Sequence, residues 1–185
     1  MVEANIYPVM LAVPIVLVLG TLYLLVWSDT MRVPALARSI GDSFGLGIML
    51  ALFIVGIIVH ELLHGFVWAL FSANKFKSIR FGIVWHVLTP YCHCVEPMTV
   101  RHYRLGAVAP CLVLGVAPSL MGIVSGHVGV FLYGVLFTIA AGGDLLILWA
   151  LRKEHPETLV LDHPTRCGCA VFDPIDMSLV NQSEK

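Results

Sequence analysis

The chain has 185 residues, of which 58% are hydrophobic and only 12% charged, and its mean hydropathy is +0.89. A soluble globular domain carries about 25% charged residues, so this composition excludes an ordinary soluble domain and specifies an α-helical integral membrane protein. The net charge of -1 leaves no basic excess to hold nucleic acid, and the length fits one principal domain.

The first apolar run covers roughly residues 6–27. It follows Met1-Val2-Glu3-Ala4-Asn5, which lacks the basic start of a signal peptide, so it reads as a retained span. Three further runs are long enough to cross a bilayer, at roughly 44–71, 105–125 and 127–151. Pro8, Pro14, Pro110 and Pro118 fall inside these four expected spans and predict kinks. Only Gly126 and its neighbours separate the third span from the fourth, which predicts a tight helical hairpin.

Four spans place both termini on one side. Of the eleven Lys and Arg residues, all but Arg32 and Arg38 lie on that side. The positive-inside bias therefore predicts cytosolic termini, in what is expected to be the cell membrane. The stretch between the second and third spans is too polar to cross. Ile79, Phe81, Ile83 and Trp85 alternate with Arg80, Gly82 and Val84, the period of a strand. Thr89-Pro90 is expected to end that strand and Val95–Val100 to return beside it, giving a small cytosolic β-hairpin at about 77–101. Strand-like pieces recur in the tail, at Thr158–Leu161 and Cys169–Phe172.

Within the second span stands His60-Glu61-Leu62-Leu63-His64, an HExxH motif. Residues four apart share a helix face, so His60 and His64 can both turn a ring nitrogen to one metal ion. Glu61 then lies beside the ion, placed to take a proton from an activated water. Two imidazoles and a carboxylate in lipid cost several kcal/mol without compensation, and a Zn2+ ion compensates them.

A catalytic zinc site takes three protein ligands. The His60–His64 midpoint lies about 9 residues, or about 13 Å, from the cytosolic end of its span, and Asp144 lies about 7 residues, or about 10 Å, from the end of the fourth. Asp144 is also the one acidic residue besides Glu61 in any expected span, and Gly142 and Gly143 beside it permit close helix approach. Asp144 is therefore the expected third ligand. Residues 1–152 are expected to form a membrane metallopeptidase domain and residues 153–185 a cytosolic tail.

The pairing of an intramembrane HExxH with an intramembrane Asp resembles the site-2 protease class of zinc metalloproteases. A closer resemblance is to the DUF3267 family of small zincin peptidases. It rests on His60–His64, the Thr89-Pro-Tyr-Cys-His-Cys-Val-Glu-Pro97 stretch, Gly143-Asp-Leu-Leu-Ile147 and Asp162-His-Pro-Thr-Arg-Cys-Gly-Cys169. The resemblance implies zinc held by His60, His64 and Asp144, with Glu61 catalytic. Site-2 proteases carry an Asn-x-x-Pro element and an Asp-Gly pair; here Leu145 follows Asp144, and neither late span contains Asn. The group that would stabilise the oxyanion is thus unassigned.

The expected function is intramembrane zinc endopeptidase, acting on membrane-embedded or membrane-proximal protein substrates. The alternatives are a metal-binding membrane protein without hydrolytic activity, such as a zinc sensor, and a small proton-coupled carrier. The lack of an internal repeat weighs against the carrier, and the intact Glu61 against the non-hydrolytic reading. The expected partners are the bilayer and a membrane protein substrate, with no nucleic acid and no oligomeric state specified. The hairpin either receives an unwound substrate by strand addition or covers the active-site helix. His86 and His93 are secondary candidates for a ligand or an oxyanion donor. Cys92, Cys94, Cys167 and Cys169 are candidates for a second, structural zinc site. Asp162, in the tail, is expected to be dispensable for metal binding.

Overall fold

The computed structural model describes residues 3–27, 43–85, 89–162 and 168–172. Helices dominate: α1 (Glu3–Val26), α2 (Ser43–Phe71), α3 (Val100–Ser125), α4 (Val128–Ala140) and α5 (Gly142–Leu151). Between α2 and α3 lie β1 (Ile79–Val84), β2 (Thr89–Cys94) and the short β3 (Met98–Thr99); β4 (Leu159–Asp162) and β5 (Cys169–Phe172) follow α5. The chain divides into two compact units, one of residues 1–60 with 110–146 and one of residues 61–109 with 147–185.

Among the described residues, two helices, Gly47–Phe71 and Val100–Ser125, are long and apolar enough to cross a membrane. A third span results if α4 and α5, which meet at a 47° bend, are taken together. The stretch Met10–Val26 of α1 is apolar but shorter, so length and composition support two or three spans against the four expected. The outward residues suit lipid: Leu25, Leu52, Ile54 and Val124 are all exposed.

The first unit packs by small residues. Gly126, at φ 69°, ends α3 in the left-handed conformation that glycine adopts without strain, and His127 caps α4 through its Nδ1, which accepts from Val130 N–H at 3.4 Å. This is the expected helical hairpin. Along it, a Cβ on Gly134 would lie 2.4 Å from the Ser119 nitrogen, and one on Gly122 would lie 2.5 Å from the Phe131 nitrogen. The backbones approach this closely because these positions lack a side chain. The buried hydroxyls of Ser119 and Thr138 donate to the carbonyls of Gly115 and Gly134 at 2.9 Å, which satisfies them inside their own helices. Leu19 and Tyr23 of α1 join Ile123 and Phe131 in one apolar cluster, and the Trp27 indole donates to the Ile123 carbonyl at 2.6 Å.

Two expected helices depart from uniform geometry. α3 winds as a π-helix over Cys111–Val116, immediately after Pro110. Proline has no N–H to donate and crowds the preceding turn, and a wider turn absorbs the mismatch. The expected continuous fourth span instead breaks at Ala141.

The second unit holds both sheets. β1 pairs antiparallel with β2, Ile79 opposite Cys94 and Val84 opposite Thr89. The return strand therefore begins at Thr89, not at Val95 as the sequence suggested, and Pro90 sits inside it opposite Ile83. A two-stranded ribbon leaves alternate N–H groups unpaired at its edge, and proline fits such a position. Residues 98–99 pair elsewhere, with Leu159 and Val160 of β4; the two strand-like pieces of the tail are strands, and β4 pairs antiparallel with β5. The core of this unit includes Trp68, Ile79, Cys94, Val100, Tyr103 and Val160.

Candidate metal centre

His60 and His64 lie one turn apart on α2, which runs unbroken through both positions. Asp144 lies in the first turn of α5, just past the break at Ala141. The carboxylate thus sits at a helix N-terminus, where the backbone dipole favours negative charge. Its Oδ2 is 3.1 Å from His60 Nε2. One donor atom from each of His60, His64 and Asp144 falls within 4.8 Å of the others, and this is the one such group of three among the described residues. His64 is buried, and His60, Glu61 and Asp144 are partly buried.

The donor set fits zinc. Ligand atoms at the usual zinc distances stand about 3.3 Å apart around a tetrahedron, close to the His60–Asp144 separation. The chemistry of His64 agrees. Its Nδ1 lies 2.9 Å from the Gly106 carbonyl oxygen, so Nδ1 carries the proton and Nε2 is the nitrogen left to bind metal. Gly106 can come this close because a Cβ there would lie 2.1 Å from Trp68 Nε1. The His64 ring stacks on Trp68 at 5.2 Å, and Trp68 in turn stacks on Tyr103 at 5.1 Å.

The hairpin packs against the second half of α2. A Cβ on Gly65 would meet Phe81 at 2.6 Å, Ile79 at 3.0 Å and the Cys92 sulfur at 3.1 Å. At this end the hairpin covers the motif-bearing helix. Burial pushes the Cys92 thiol well above its usual range, and the nearby carboxylates of Glu61 and Asp162 push it further.

The secondary candidates fall elsewhere. His93 Nδ1 stands 3.7 Å from Asp162 Oδ2 and is not part of the group of three. His86 and Cys167 lie outside the described residues. Cys92, Cys94 and Cys169 are free thiols that the structure does not gather into a metal-ready group. Sequence reasoning missed the supports of His64, namely Gly106, Trp68 and Tyr103. No local signal marks a carbonyl that lies 42 residues away in the chain.

The family model of DUF3267, described as "Putative zincin peptidase", matches residues 53–159, more than half of the chain. The chain belongs to this family. The matched region contains His60, Glu61, His64 and Asp144. No curated protein and no solved structure matches the chain.

Proposed function

We propose that this DUF3267 member is a zinc-dependent endopeptidase that cuts peptide bonds within or beside the membrane. The observation that carries the reading is the meeting of His60, His64 and Asp144 on strongly apolar helices, with Glu61 adjacent to the first ligand. Zinc supplies a Lewis acid for the scissile carbonyl and acidifies water. Glu61 takes the proton from the attacking water and passes it to the leaving amine. His60, His64 and Asp144 would hold the ion, and the Gly106 carbonyl keeps His64 in the tautomer that offers Nε2. In this reading α1 also crosses the membrane as the first of four spans, and the excess of Lys and Arg favours cytosolic termini.

The rival is a membrane metal-binding protein without hydrolysis. Glu61 favours the peptidase, because binding alone does not call for a carboxylate beside the ligands. Purified full-length protein should hold about one zinc. Glu61→Gln should retain the metal while hydrolysis falls by about 10²–10⁴-fold, and His60→Ala or Asp144→Ala should lose metal and activity together. Proteomics of membrane fractions from cells with wild type or Glu61→Gln should find proteins that accumulate uncut in the variant. Wild-type turnover by Glu61→Gln would exclude the peptidase mechanism.

A further inference from the structure

Asp162 is a tail residue and yet is 8% exposed, an unusual place for a carboxylate. It ends β4, and its two oxygens bind two other elements. Oδ2 accepts the Cys94 N–H of β2 at 2.9 Å, and Oδ1 accepts the hydroxyl of Tyr103, from the first turn of α3. His93 stands beside the same carboxylate. Burial pushes the Asp162 carboxyl above the usual carboxylate range, while the Cys94 N–H, the Tyr103 hydroxyl, His93 and His64 pull it down.

What Tyr103 does next gives this network a direction. Its ring lies nearly parallel to Trp68, at 17°, and its backbone carbonyl accepts the Trp68 indole N–H at 3.1 Å. Trp68 lies nearly parallel to His64, again at 17°. The series Asp162, Tyr103, Trp68, His64 therefore runs without a gap through buried groups of one compact unit. The other Asp162 oxygen ties the same carboxylate to Cys94 of β2. The orientation of a metal-ligating histidine is set by the hydrogen bond of its other ring nitrogen, here to Gly106, and by the rings packed on it, and loss of such a hydrogen-bond partner costs about 10–100-fold in metal affinity.

We propose, against the expectation from sequence that Asp162 is dispensable for metal binding, that Asp162 is a positioning residue for the metal centre: it anchors the Tyr103–Trp68 stack that sets the His64 ring. The inference rests on the metal reading above and concerns a residue outside the ligand set.

The test is zinc affinity of the purified full chain, by competition with a chromogenic chelator, with the cobalt-substituted absorption spectrum as a second readout. Tyr103→Phe removes the hydroxyl and keeps the stacked ring. Asp162→Asn keeps the shape and an acceptor and removes the charge. Asp162→Ala removes both. Tyr103→Phe and Asp162→Ala should each weaken zinc by about 10-fold or more, and their combination should be no worse than Asp162→Ala alone, because both cut one connection. Asp162→Asn should recover part of the loss, and the cobalt spectrum should shift in Tyr103→Phe although all three ligands remain. Wild-type affinity and spectrum in a folded Tyr103→Phe, or fully additive losses, would overturn the role of Asp162 and leave the metal reading standing. If wild type itself binds no zinc while His60→Ala folds identically, both fall.

Discussion

The two compact units are held together by opposite means. In the first, glycine and serine let helix backbones touch along the α3–α4 hairpin, with the Ser119 and Thr138 hydroxyls satisfied inside their own helices. In the second, large rings and hydrogen-bonded polar groups fill the space: Trp68 on Tyr103, Tyr103 on Asp162, Cys94 on Asp162. The difference follows from what each must accomplish. Helices apolar enough to cross a membrane would gain little there from the hydrophobic effect against one another, so close contact and dispersion must hold them. A layer of short strands and helix ends has many backbone and side-chain polar groups to satisfy, so it uses donors and acceptors. One region has no slack at its backbone contacts, and the other has side chains that can move.

That contrast can be broken by glycine substitution. Gly134→Val should be the most damaging, because its Cβ would lie 2.4–2.5 Å from the Ser119 nitrogen and the Gly115 carbonyl oxygen, which cannot step aside. A loss of about 3 kcal/mol or more is expected in detergent unfolding. Gly65→Ala should cost less, about 1 kcal/mol, because its nearest neighbour is the tip of Phe81, a half-exposed ring free to swing. Equal losses at the two sites would remove the distinction.

The smallest expected effect sharpens the account of the second unit. Burial, the largest cause, and the nearby carboxylates of Glu61 and Asp162 keep the Cys92 thiol protonated. Alkylation of Cys92 at pH 8, followed by peptide mass spectrometry, should therefore be more than about tenfold slower than for a free thiol. Glu61→Gln removes one negative charge, lowers the thiol pKa and should raise the rate. The gain should stay under about tenfold, because burial, the largest cause, is untouched. An unchanged rate would detach Glu61 from this strand.

Several parts of the fold were legible in the sequence for local reasons. The α3–α4 turn could be read because only glycine tolerates the φ of 69° at position 126 without strain. β1 followed from its period-two pattern, and β5 matched its expected bounds. The start of β2 was misplaced because Pro90 reads locally as a breaker, whereas its fit depends on which way its missing N–H would have pointed in the ribbon. The partner of Met98–Thr99 was hidden for a similar reason: pairing with β4 joins segments about 60 residues apart, which no local pattern encodes.

By itself, the sequence determined the apolar helices, the HExxH motif and the isolated acid at position 144, because composition and helical spacing are properties of neighbours along the chain. The tertiary structure alone decided that helix α5 starts just before Asp144, which sets that carboxylate 3.1 Å from His60. It alone decided that the Gly106 carbonyl holds His64 and that Asp162 is buried at the end of a ring stack. These are contacts between residues far apart in the chain, and their geometry comes from how helices and strands pack, which no single segment specifies.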